Sequence, residues 1–76
     1  MNTTLNKFLL NTWYTQNIIV IDCKDTILSK TADLEKIKAA ALYSGTNHDM
    51  RNDNPLMTRD VYNFGAIDSY LIIEVR

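Results

Sequence analysis

Ile18, Ile19, Val20 and Ile21 form an unbroken β-branched run, and no other segment constrains the fold of this chain as tightly. Branching at Cβ stiffens the side chain and favours extended backbone. Four residues are too few for a free-standing helix, and successive residues of a strand point to opposite faces. A strand that is apolar on both faces is a central one, so residues 18–21 are predicted to lie buried within a sheet.

The flanking segments supply the other elements. Leu5, Phe8, Leu9 and Trp13 recur at helical spacing behind Asn2, Thr3 and Thr4, any of which can cap a helix start, and this predicts a short amphipathic helix over residues 3–12. A strand competes for the same region, because Thr12, Trp13, Tyr14 and Thr15 are good strand formers. A firmer helix is predicted over residues 31–44. Thr31 is placed as its N-cap, Asp33 and Glu35 complement its positive end, and Leu34, Ile37, Ala41 and Leu42 share one face. Ser44 and Gly45 supply its stop.

Leu56 and Met57 are expected to fold back on the core. Val61, Tyr62 and Phe64 then read as a strand, Gly65 to Ser69 as a turn, and Tyr70 to Val75 as a last strand. In that strand Leu71, Ile73 and Val75 share one face, with Tyr70, Ile72 and Glu74 on the other. Together these elements predict a single compact α+β domain over residues 1–76. It is expected to be a small two-layer fold, with about three strands packed on the helix over 31–44 and accompanied by the helix over 3–12.

A chain of 76 residues buries only about 60% of its unfolded surface, so its stability margin is small. Cys23 is the single cysteine, which removes an intrachain disulfide, and no Cys/His pattern offers a zinc site. Efficient packing or self-association must compensate, and a homodimer is expected. The hydrophobic content of 46% is that of a folded protein. Net charge is −1, from 8 basic and 9 acidic residues without blocks of either sign. That balance argues against binding that relies on phosphate neutralisation. No apolar run approaches the roughly 20 residues that span a bilayer, and the context of Leu9 and Leu10 is too short and polar for a secretory segment. With one free cysteine, the cytoplasm is the expected location.

Three groups of residues could carry chemistry. The first is IIVIDCKDTIL, residues 18–28, which is superficially similar to the nucleophile motif of haloacid-dehalogenase-type phosphatases: an apolar strand ends in Asp22, and Asp25 precedes Thr26. The pattern departs from that motif because the two aspartates stand three apart and the glycine is missing. A small metal-dependent hydrolase using Asp22 and Asp25 is the enzymatic alternative that the similarity implies. The second group is His48, Asp49, Asp53 and Asp60, potential metal ligands that lack the acidic ladder and terminal glutamate of a calcium loop. Here a solvated loop is the stronger expectation, so no metal or cofactor is assigned. The third is Lys24, Lys30, Lys36 and Lys38, on which a nucleic-acid-binding regulator or antitoxin-like dimer would depend.

A recognition surface fits the residues better than any of these. Residues 44–54, SGTNHDMRNDN, are polar apart from Met50 and stop before Pro55, and a loop carried on a rigid scaffold is a common seat of binding. His48, Asp49, Arg51 and Asp53 supply charges of both signs for a mixed protein surface. Trp13 and Tyr14 add aromatic groups of the kind that anchor interfaces. The expected function is therefore a small non-enzymatic protein that binds and blocks a macromolecular partner. Mildly acidic α+β chains of this size without catalytic signatures are typical of inhibitors of host defence encoded by phages and mobile elements, anti-CRISPR proteins among them. This chain resembles them in size and character.

Overall fold

The computed structural model describes residues 3–25, 33–50 and 53–76. Its centre is a four-stranded sheet. Strands β1 (Asn17–Asp22), β2 (Tyr43–Thr46), β3 (Val61–Ile67) and β4 (Tyr70–Val75) lie in the order β2-β1-β4-β3. β1 pairs antiparallel with β2 and parallel with β4, and β4 pairs antiparallel with β3. The β-branched run thus occupies a central strand with neighbours on both sides. Ile18, Ile19, Val20 and Ile21 are all fully buried.

The two faces of the sheet carry separate apolar clusters. Ile18 and Val20 of β1 join Ile73 and Val75 of β4 and pack with Leu5 and Leu9 of helix α1 (Leu5–Leu9) and with Met50 and Met57. Ile19 and Ile21 join Ile72 on the opposite face, under Ile37 of helix α2 (Leu34–Ala39). This division follows from the alternation of side chains along a strand. The predicted faces of β4 are observed, with Leu71 packed beside Ile73 and Val75, and Tyr70 beside Ile72. The α+β class holds. Relative to the predicted sheet there is one additional strand, β2, and the two helices cover opposite faces.

Several boundaries differ from those predicted, for local reasons. Helix α1 begins at Leu5 with Thr4 as its cap, and the Thr4 side chain accepts from the Lys7 N–H at 3.4 Å. It ends at Leu9 because the Thr12 N–H returns to the Leu9 carbonyl at 3.0 Å, closing a turn. Helix α2 is capped by Asp33, whose carboxylate accepts from the Glu35 N–H at 3.0 Å. The expected cap, Thr31, lies outside the described residues. The helix stops at Ala39 rather than residue 44, because the Leu42 N–H donates to the Val20 carbonyl at 2.7 Å and draws the chain onto the sheet. Ser44 and Gly45 consequently sit in β2 and do not terminate a helix.

Gly45 has a packing role there. A Cβ at this position would stand 2.9 Å from the Tyr43 hydroxyl oxygen, which donates to the Thr46 carbonyl at 2.7 Å. In the C-terminal hairpin, Gly65 through Ile67 remain paired in β3, and the turn contracts to Asp68 and Ser69. Asp68 takes φ 55°, a left-handed conformation that aspartate adopts more readily than most residues.

Candidate partner-binding site

Two connections meet at one end of the sheet. Residues 10–16 lead from α1 to β1, and residues 47–50 follow β2. Asn47 holds them together. Its side-chain amide donates to the carbonyls of Thr12 at 3.0 Å, Trp13 at 3.3 Å and Leu9 at 3.4 Å. Its backbone N–H donates to the Gln16 carbonyl at 2.9 Å, and the next N–H, that of His48, donates to the Tyr14 carbonyl at 2.7 Å. Met50, the one apolar residue of the polar stretch, is buried in the α1-side core and pins the far side of the turn.

The clamp displays aromatic surface. Trp13 is 79% exposed and Tyr14 63%, while the Tyr14 and His48 rings meet edge-on with centroids 5.7 Å apart. Trp13 also borders a cleft of about 330 Å³, shared with Asn11, Gln16, Ala66, Asp68 and Leu71. The Gln16 amide closes one side of this cleft by donating to the carbonyls of Ser69 at 2.7 Å and Asn17 at 3.0 Å. Large rings on backbone held at both ends lose little freedom when a partner covers them.

Of the six residues predicted to bind a partner, the five that are described fall into two groups. Tyr14 and His48 meet through their rings, and Trp13 is exposed at the preceding position of the same connection. Asp49 and Asp53 line a shallow depression with Tyr43, Asn54 and Pro55. Arg51 lies outside the described residues. Burial, followed by the nearby Asp49 charge, raises the Tyr43 pKa above its ordinary value, so that hydroxyl remains a donor. Asn54 closes the segment by accepting from the Leu56 N–H at 3.0 Å, which starts the short 3-10 turn Pro55–Thr58 and buries Met57.

The residues of the other chemical expectations are placed differently. Asp22, at the end of β1, accepts from the Lys24 N–H at 2.9 Å through one oxygen and from the Arg59 guanidinium at 2.8 Å through the other. Asp25 closes the 3-10 turn Cys23–Asp25. Asp60 forms an isolated bridge with Thr4. Among the described residues, no three His, Cys, Asp or Glu side chains are grouped so as to hold a metal ion. Lys24 stands on the turn after β1 and Lys36 on α2, while the Lys38 ammonium lies 4.5 Å from the centroid of the Tyr70 ring. Lys30 is outside the described residues. Among these residues no helix is long and apolar enough to cross a membrane.

The Asp22 contacts have a measurable consequence. Its carboxyl is held below its ordinary value of 3.8, first by the Arg59 hydrogen bond and next by the Lys24 N–H. A depressed carboxylate stabilises the fold fully above its unfolded pKa and loses that contribution as pH falls through the folded value. Asp22→Asn is therefore expected to be less stable than the parent at pH 6, with the difference shrinking below pH 3.8. Urea midpoints of both proteins across pH 2.5 to 6 test this, and a pH-independent difference would remove the ion pair from the explanation.

Sequence reasoning missed Asn47, Gln16 and Arg59. An asparagine in a polar turn signals side-chain bonding to backbone. It gives no indication that the carbonyls bound would be 34 to 38 residues away in the chain. No family model, curated protein or solved structure significantly matches this chain.

Proposed function

We propose that this chain is a non-enzymatic binding protein that occupies and blocks the surface of a protein partner through Trp13, Tyr14 and His48, with Asp49 and Asp53 at the rim. One observation carries the proposal: two large, mostly exposed aromatic residues occupy consecutive positions on a connection tied down by Asn47. Aromatic anchors at the centre of an interface are commonly worth about 2 kcal/mol or more each. In size and character the chain resembles inhibitors encoded by phages and mobile elements. Asp22 of the hydrolase alternative is engaged by Arg59 and the Lys24 N–H, and Lys38 of the nucleic-acid alternative by Tyr70, so these two residues have structural employment.

Capture from nuclease-treated bacterial lysate, followed by titration of the captured protein, provides the test. Trp13→Ser is expected to raise Kd by about thirtyfold, the equivalent of roughly 2 kcal/mol. Lys36→Ala should leave affinity unchanged. Equal affinity for parent and Trp13→Ser would refute the aromatic site, and capture abolished by nuclease would favour nucleic acid.

A further inference from the structure

We infer that two copies of this chain pair antiparallel along β3, about a two-fold axis at Gly65, to make one continuous eight-stranded sheet. Strand β3 is an edge of the sheet, seven residues long, and its sequence VYNFGAI contains neither charge nor proline. Exposed edges are normally guarded by such residues, because their unpaired N–H and C=O groups accept any strand of suitable shape. The bulge in β3 falls between Val61 and Asn63 and leaves Asn63 to Ile67 in regular register.

The pairing geometry follows from the hairpin. Around a two-residue turn the flanking pair, Ile67 and Tyr70, exchanges both ladder bonds, and bonded and non-bonded pairs then alternate along the strands. Phe64 and Ala66 therefore direct their N–H and C=O groups toward the open edge. A two-fold axis at Gly65 bonds Phe64 to Ala66 of the second copy, and Ala66 to its Phe64. Each large ring meets a methyl group, twice over. Phe64 is 58% exposed and already leans on Phe8 with ring centroids 5.1 Å apart, so the pairing extends an existing aromatic contact.

Two further observations identify a second copy as the occupant. Among the described residues a Cβ at Gly65 would meet nothing within 4 Å, and the Gly65 φ is not positive. Nothing among the described residues requires glycine there, whereas glycine within a strand commonly marks close approach by another backbone. At the axis the two Gly65 residues form a non-bonded pair, the closest approach in an antiparallel ladder. Beyond the regularly paired residues Asn63 to Ile67, the turn at Asp68 lies toward the bulge at Tyr62 of the second copy. The Tyr62 ring carries the Arg76 guanidinium at 4.9 Å, so opposite charges approach each other at both ends of the contact.

The area is modest. A fully buried aromatic covers about 150–250 Å², and Tyr62 and Phe64 expose little more than half of theirs. The contact thus falls short of the roughly 800 Å² per partner of a standard interface, which implies dissociation in the micromolar range.

Sedimentation velocity of the full chain from about 1 µM to 1 mM tests the proposal. The parent is expected to shift from monomer to dimer within this range. Ala66→Lys should raise the dissociation midpoint by at least about tenfold, because two lysines then face the same edge. Ser44→Lys, on the opposite edge, should leave it unchanged. In a Cys23→Ser background, Gly65→Cys should form an intermolecular disulfide under mild oxidation, as Cα atoms of a non-bonded pair lie about 4.5 Å apart. Circular dichroism verifies that each variant is folded. A monomer throughout the range overturns the proposal, as does a dimer broken by Ser44→Lys alone or a folded Gly65→Cys chain that fails to cross-link.

Discussion

Ile19→Ala is expected to remove most of the stability of this protein. Ile19 is fully buried on the α2 side of β1, in a cluster whose other buried members are Ile21, Ile37 and Ile72. Truncating a buried isoleucine to alanine costs about 2–5 kcal/mol, through lost transfer free energy and the cavity left behind. A single core in a chain this small rarely supplies more than about 3–5 kcal/mol. The site has little capacity to collapse around the cavity, because β1 is hydrogen-bonded to β2 and β4 on its two sides. Urea denaturation followed by circular dichroism should show an unfolded or barely folded variant at 25 °C. Leu42→Ala is the matched comparison: Leu42 is 45% exposed, and substitutions away from buried features usually stay within about 0.5 kcal/mol. A loss below about 1 kcal/mol for Ile19→Ala would mean that α2 does not cover this face.

The contrast between Ile19 and Leu42 also shows which parts of the fold were legible in the sequence. Periodicity reports burial well where one pattern dominates. The run 18–21 identified the central strand, and the alternation of Tyr70 to Val75 assigned each side chain to the face on which it is found. Leu5, Phe8 and Leu9 likewise marked α1. Leu42 fitted the helical stripe equally well, yet its N–H is taken by Val20, so a tertiary hydrogen bond overrode the local pattern. β2 was illegible for the same reason. Tyr43, Ser44, Gly45 and Thr46 have mixed strand propensity and become a strand by pairing with Asn17 to Val20. Glycine misled twice. Gly45 reads as a helix stop and Gly65 as a turn, but both lie in strands, the first beneath the Tyr43 ring and the second on an open edge. At the candidate site, the polarity of residues 44–54 and the aromatic pair Trp13 and Tyr14 were visible separately. Their union depends on contacts of Asn47 and His48 with a segment more than thirty residues away, which no local pattern encodes.

That union leads to the second large effect. Asn47→Ala is expected to destabilise the protein by about 1–2 kcal/mol and to weaken partner binding by about tenfold, although Asn47 lies beneath the aromatic surface. The amide nitrogen carries two hydrogens, and the three carbonyls within its reach belong to Leu9, Thr12 and Trp13. Its removal takes the side-chain donor from the Thr12 carbonyl, whereas the Leu9 and Trp13 carbonyls keep the N–H groups of Thr12 and Gln16, and the connection over residues 10–16 regains freedom that binding must then suppress. Asn47→Asp separates donor chemistry from size. A carboxylate of the same shape has no hydrogen to give and would face carbonyl oxygens, so this variant should be the more damaging of the two at neutral pH. Trp13 is the only tryptophan, which makes its fluorescence anisotropy a direct readout of the connection. The expected result is lower anisotropy in both variants, together with faster amide exchange at Tyr14 to Gln16. If anisotropy and stability are unchanged in Asn47→Ala, the backbone bonds from Asn47 to Gln16 and from His48 to Tyr14 are sufficient to hold the surface. Rigidity of the aromatic pair would then belong to the strand-like pairing of the two connections, and the side chain of Asn47 would have no part in recognition.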